Sequence, residues 1–149
     1  MSNPYFADLH AHTTASDGCL SPAELVARAA QTGISCLAIT DHDTTRGVEE
    51  AKKAAEGNGV CVLTGVELSA GPYGETHVLG YGIDPHSPFL TALFDKMYDE
   101  RIERAREMAQ KLRGLGMEIP IDDIVLNARG SVGRPHIARA LVKAGYIQS

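Results

Sequence analysis

A basic cluster is what this sequence most plainly lacks. Its 14 Lys and Arg are outnumbered by 19 Asp and Glu, giving a net charge of -5, so broad electrostatic binding to duplex nucleic acid is not expected. Cysteine is scarce: Cys19, Cys36 and Cys61 lie far apart, with no Cys-x-x-Cys. So odd and sparse a set argues against a disulfide framework and fits a reducing compartment. Cys36 and Cys61 fall in apolar, strand-like runs and are expected to be core fillers. No charged-then-apolar leader opens the sequence and no apolar run reaches transmembrane length, so a cytoplasmic location without a membrane role is the expectation. Low-complexity segments and internal sequence repeats are absent. Tryptophan is missing too, yet 44% hydrophobic and 22% charged residues describe an ordinary globular chain. Its 149 residues amount to about one domain, with apolar material for a single core.

What is present is organised around Asp8-Leu9-His10-Ala11-His12-Thr13-Thr14-Ala15-Ser16-Asp17-Gly18. Tyr5-Phe6-Ala7 leads into it, so it reads as a first strand running into a polar loop. Strand side chains alternate with a period of two, which points His10 and His12 the same way. Two imidazoles on one side can chelate a cation, and Asp17 follows on a tight Ser-Asp-Gly bend. Ser21-Pro22-Ala23-Glu24 is a helix start: Ser21 caps, Pro22 suits the first helical position and Glu24 completes a capping box. Gly33 ends that helix. Ile34 to Thr40 is a second strand leading to Asp41-His42-Asp43. A second helix is expected from Thr44 or Thr45, closed by Gly57-Asn58-Gly59, and Val60 to Thr64 is a third strand followed by Gly65-Val66-Glu67-Leu68-Ser69. This alternation implies a parallel sheet with right-handed crossovers. Gly71-Pro72-Tyr73-Gly74 is a turn, and Glu75 to Ile83 a further strand with His77 near its start.

The pattern changes from Ser87. Leu90, Leu93, Phe94, Met97, Ile102, Ala105, Met108, Ala109 and Leu112 follow helical spacing along one long helix. Pro120 to Ala128 reads as a short helix, and Pro135 opens a last one through Lys143. The division expected is residues 1–86 as strand-helix repeats and 87–149 as a small helical subdomain.

In parallel α/β folds the strand carboxyl ends share one crevice. His10, His12 and Asp17, then His42, Glu67 and His77 all fall at or beside such ends. Their mix of imidazole and carboxylate, without thiolate, suits manganese, iron(II) or zinc in a catalytic site better than structural zinc. Glu67 could bridge two ions, and paired ions acidify a water and clamp a phosphoryl group. Arg134 lies where a loop meets a helix start, and its planar fork of donors suits a phosphate.

Together these segments resemble a known family. Asp8-Leu9-His10-Ala11-His12-Thr13 with Ser16-Asp17-Gly18, Thr40-Asp41-His42-Asp43, Gly65-Val66-Glu67 and His77-Val78-Leu79-Gly80-Tyr81 are similar to the ordered motifs of the polymerase and histidinol phosphatase (PHP) family. Gly133-Arg134-Pro135-His136-Ile137-Ala138 is similar to the inserted helical segment of its small stand-alone bacterial phosphoesterases. The resemblance implies an α/β fold: the N-terminal part of a distorted seven-stranded β/α barrel with a helical insertion. It implies two to three divalent cations, manganese favoured. His10, His12 and Glu67 would hold one, Glu67 and His77 a second, Asp17 and His42 a third. Arg134 and His136 would face the substrate phosphate, with helix capping or packing equally open for His136. The activity implied is hydrolysis of phosphomonoesters of small nucleotides, such as nucleoside 3',5'-bisphosphates, or of short RNA 5' ends. Histidinol-phosphate hydrolysis and a non-catalytic metal-binding scaffold are the alternatives. The family's later strands carry a further histidine and an Asp-x-His pair that these residues lack. A missing C-terminal half, or a second chain that completes the barrel, is therefore expected.

Overall fold

The computed structural model describes residues 6–71, 76–128 and 130–148. The elements run β1 (Phe6–Ala11), α1 (Pro22–Gln31), β2 (Ile34–Ile39), α2 (Val48–Ala55), β3 (Cys61–Ala70), β4 (Thr76–Tyr81), α3 (Pro88–Gly114), α4 (Ile121–Asn127) and α5 (Arg134–Lys143). Local chemistry sets their ends. Ser21 accepts the Glu24 N–H while the Glu24 carboxylate accepts the Ser21 N–H, a reciprocal cap that also holds the Glu24 carboxyl below its ordinary range. The second helix starts later than its threonines suggest, at Val48. Thr44 Oγ1 accepts the Arg46 N–H in a local turn, so it is not available as a helix cap.

The sheet order is β1-β2-β3-β4. β1, β2 and β3 are parallel, as the strand-helix alternation implies. β4 departs from that pattern by pairing antiparallel to β3, with Ser69 opposite His77 and Glu67 opposite Leu79. The link between them is far too short for a crossover helix, and a parallel return needs about a dozen residues. The third strand runs on past Thr64 to Ala70, which puts Glu67 inside a strand and not in a loop. The turn expected at Gly71-Pro72-Tyr73-Gly74 and the strand start at Glu75 lie largely outside the described residues. The sheet curls: the Tyr81 hydroxyl on β4 donates to the Leu9 carbonyl on β1 at 2.7 Å, although two strands stand between them.

Two apolar clusters form. Val26, Ala29, Leu37, Ile39, Val48 and Ala51 join α1 and α2 to one face of the sheet, and each buried Val, Leu or Ile contributes roughly 1.5–3 kcal/mol. Ala105, Ala109, Ile119, Ala128, Val132 and Ile137 join α3, α4 and α5. The expectation for the cysteines is corrected here. Cys61 is exposed and Cys36 half-buried, because both lie on the sheet face that α1 and α2 do not cover.

Contacts at the strand tops join the two clusters. The Ser131 N–H donates to the Ala15 carbonyl, and a Cβ on Gly130 would overlap that same oxygen. Arg139 donates through both terminal nitrogens to the Asp17 carbonyl at 3.3 Å. No helix among the described residues is long and apolar enough to cross a membrane.

Candidate metal centre

The residues of the first loop are held from below by a buried aspartate. Asp41 accepts the Thr13 N–H and hydroxyl, both at 2.7 Å, and the Ser16 hydroxyl at 2.6 Å. Gly18 closes the bend because a Cβ there would meet the His12 backbone. Asp17 is thereby fixed over the end of β1. His10 and His12 flank Ala11, whose side chain enters the helix-facing core, so both imidazoles take the opposite face. His42 and Glu67 form an isolated parallel bridge that continues the β2–β3 register. His77 arrives because β4 runs backwards, bringing its first turn beside the last residues of β3.

Glu67 is the hub. Its Oε2 lies 2.9 Å from His10 Nε2, 2.9 Å from His12 Nε2 and 3.6 Å from His42 Nδ1, and its Oε1 lies 2.8 Å from His77 Nδ1. Asp17 stands 3.4 Å from His12 Nδ1 and 3.8 Å from His42 Nε2. Three overlapping sets result: His10, His12 and Glu67; His12, Asp17 and His42; His42, Glu67 and His77. In each, the ligand-type atoms lie within 4.8 Å of one another.

The electrostatics favour ligand forms. Burial pushes the Glu67 carboxyl upward, but the His10 hydrogen bond and the charges of His42, His10 and His12 outweigh it, and the group ends below its ordinary range. Burial lowers His42, with Arg101 and His12 adding to the effect against Asp17 and Glu67, which favours the neutral ring. His42 Nδ1 is buried without a hydrogen-bond partner. A buried, unpartnered, neutral imidazole nitrogen beside two carboxylates is what a divalent cation requires, and the donor set fits one.

Beside the cluster opens a groove of about 440 Å³ lined by Asp17, His42, His77, Arg101, Arg104 and Arg134. Arg134 reaches it from the first turn of α5. His136 does not line it. Its Nδ1 accepts the Gly133 N–H at 3.1 Å, and its ring faces a separate recess with Thr14, Ser16 and Arg139. Arg101 is the residue that sequence reasoning missed. Its Nε and Nη2 donate to Asp43 Oδ2 at 2.7 and 2.6 Å, Nη2 donates to the Ser69 hydroxyl at 2.8 Å, and Nη1 to the Val132 carbonyl at 3.3 Å. Asp43 also accepts the Ser69 N–H at 2.7 Å and holds a left-handed backbone at φ 54°. That network anchors the residue next to His42.

A PHP domain model matches residues 8–111. The chain belongs to the PHP family. It is 43% identical over 143 residues to a 5'-3' exoribonuclease of Haemophilus influenzae, covering 95% of this chain and 52% of the relative. It is 40% identical over 144 residues to a 3',5'-nucleoside bisphosphate phosphatase of Chromobacterium violaceum, covering 95% of this chain and 50% of the relative. Among solved structures, one match is a Bifidobacterium adolescentis protein described as a metal-dependent phosphoesterase. It superposes with a TM-score of 0.87 at 35% identity, over 97% of this chain and 52% of the other. The PHP chain thus spans about half the length of the relatives it matches.

Proposed function

We propose that this chain is the metal-holding half of a PHP phosphoesterase: residues 1–86 as part of a seven-stranded β/α barrel, and residues 87–149 as a helical insertion over its mouth. The observation that carries the reading is three overlapping ligand sets, two of them sharing Glu67, at the wall of a groove that three arginines line. His10, His12 and Glu67 would hold one divalent cation, His42, Glu67 and His77 a second, and His12, Asp17 and His42 a third, with manganese favoured by the family resemblance over iron(II) or zinc. When bound, such ions offset charge on a phosphoryl group and acidify a water for in-line attack.

The chain's own residues supply recognition. Arg134 presents a planar pair of donors to a phosphate at the start of α5. His136, through Gly133, holds the backbone from which Arg134 projects, so we assign it to positioning and not to phosphate contact. Arg101 spends most of its donors on Asp43, Ser69 and Val132, and it braces the His42 loop. The substrate we propose is a phosphomonoester of a small nucleotide, a nucleoside 3',5'-bisphosphate, or the 5' end of a short RNA. The names of the two relatives support that choice over histidinol phosphate. A missing C-terminal half or second chain would cover the open sheet.

The test is phosphate release from a nucleoside 3',5'-bisphosphate with added Mn²⁺. His10→Ala is expected to abolish it. Arg134→Ala is expected to weaken substrate use by roughly 1.5–3 kcal/mol, on the order of ten- to a hundredfold. Equal rates for the parent and His10→Ala would end the hydrolase reading. Metal binding without phosphate release would favour the scaffold reading.

A further inference from the structure

Taking the cluster as the cation site proposed above, we infer that Arg139 is a positioning residue for it: from helix α5 the guanidinium orients Asp17 and so sets how firmly the third cation is held. Asp17 is the ligand on which that ion depends. In the set His12, Asp17 and His42, both histidines also serve another set, His12 with His10 and Glu67, His42 with Glu67 and His77. Asp17 belongs to the third set alone and supplies its one carboxylate.

The bend that carries Asp17 is held on both sides. Before it, the Ser16 hydroxyl donates to buried Asp41 at 2.6 Å and the Ser16 N–H to the Thr13 carbonyl at 3.0 Å. After it comes the Asp17–Gly18 peptide, which is planar, so its carbonyl and its N–H turn as one body. The Gly18 N–H donates to the Thr13 carbonyl at 2.9 Å. At the other end of the same unit, the Asp17 carbonyl accepts from Nη1 and Nη2 of Arg139, each at 3.3 Å. Arg139 thus closes a grip that Thr13 begins. With Ser16 fixed on one side and this plane on the other, the direction in which the Asp17 side chain leaves the backbone is fixed as well.

The grip falls on the backbone and not on the carboxylate. Asp17 Oδ1 and Oδ2 stay turned to His12 Nδ1 at 3.4 Å and His42 Nε2 at 3.8 Å. A guanidinium on the carboxylate itself would compete with a cation for it. On the carbonyl it orients the ligand and leaves the oxygens to the ion, which is how contacts outside a coordination shell raise metal affinity. Arg139 lies 122 residues from Asp17 and reaches it from a separately packed body. Ile137, with Ala140 and Leu141, seats α5 in the helical cluster. The same helix that turns Arg134 into the groove therefore braces the ligand loop further along its length.

The experiment measures Mn²⁺ bound by the 149-residue chain in equilibrium dialysis, with free ion read by electron paramagnetic resonance, for the parent, Asp17→Asn, Arg139→Ala and Arg139→Lys. Asp17→Asn is expected to lose one ion. Arg139→Ala is expected to weaken that same ion about tenfold, the lower end for such outer contacts because Thr13 still holds the peptide, and to leave the others at parental affinity. Arg139→Lys, which keeps a donor and the charge, should recover part of the loss. Melts without metal should match the parent. A lowered melt with every ion weakened together would show a purely structural role and overturn the assignment. Equal binding by Arg139→Ala and the parent, alongside a loss in Asp17→Asn, would overturn the role of Arg139 and leave the cation sets standing. Parental binding by Asp17→Asn would overturn the third cation set itself, and the role of Arg139 with it.

Discussion

Arg101 ties the long helix α3 to the end of β3 and to the residue next to His42. It spends its donors on Asp43, Ser69 and Val132, and it is almost fully buried. Removing one partner of a buried pair leaves an uncompensated charge, which costs about 3–5 kcal/mol. Arg101→Ala should therefore lower unfolding stability by roughly that amount in urea titration. A loss below about 1 kcal/mol, the range of exposed pairs, would show that the network is solvated. The sequence offered a signal for Arg101 that is easily overlooked. Phe94, Arg101, Ala105 and Ala109 are the buried residues of α3, so a guanidinium sits in the apolar stripe where a charge must find a partner. The ligand-type residues were more legible, because strand alternation alone aims His10 and His12 together. His136 was not legible: nothing in Gly133-Arg134-Pro135-His136 says which of two side chains turns back to cap the helix.

At the scale of the element, α5 is a helix whose start depends on an imidazole. His136 is pushed below its ordinary value of 6.5 by burial and then by Arg139, against the pull of Asp17. Its folded form therefore binds fewer protons than the unfolded chain. Stability from this group is present above pH 6.5 and is lost as pH falls through the lower folded value. His136→Gln, which keeps a capping acceptor without a titrating ring, should flatten that acid limb in melts between neutral pH and about pH 5, relative to the parent. An unchanged slope would show that His136 does not titrate with folding. Strands and helices were readable as elements because Ser21-Pro22, Gly33 and the 57–59 glycine run mark ends by local chemistry. The direction of β4 was not readable from hydrophobic pattern, which is blind to strand polarity. Only the shortness of the link from β3 speaks to it, since no crossover fits there.

Taken whole, the chain is a curled four-stranded sheet with a helical group joined to its upper rim. Phe6 is 55% exposed and Val78 50%, so apolar side chains remain open on both outer strands. The family relatives are about twice as long. Divalent cations that bind the folded cluster alone would raise stability by mass action, by about 2.7 kcal/mol at a hundred times the dissociation constant. Thermal melts with Mn²⁺ should thus shift upward, return with EDTA, and shift less in Glu67→Gln, which removes the carboxylate shared by two of the three ligand sets. A parent melt insensitive to Mn²⁺ would remove the case for the cluster as a cation site. The fold class and the convergence of distant residues were legible in the strand-helix alternation. The curl was not, because it depends on contacts between residues more than seventy positions apart.

The bond from Tyr81 to Leu9 has a consequence for that curl. It acts as a crossbar between the two rims of an open trough, setting the width of the gap from within the 149 residues. Any further strand laid along either rim would meet a template already bent to shape, so assembly would proceed by fitting and not by mutual moulding.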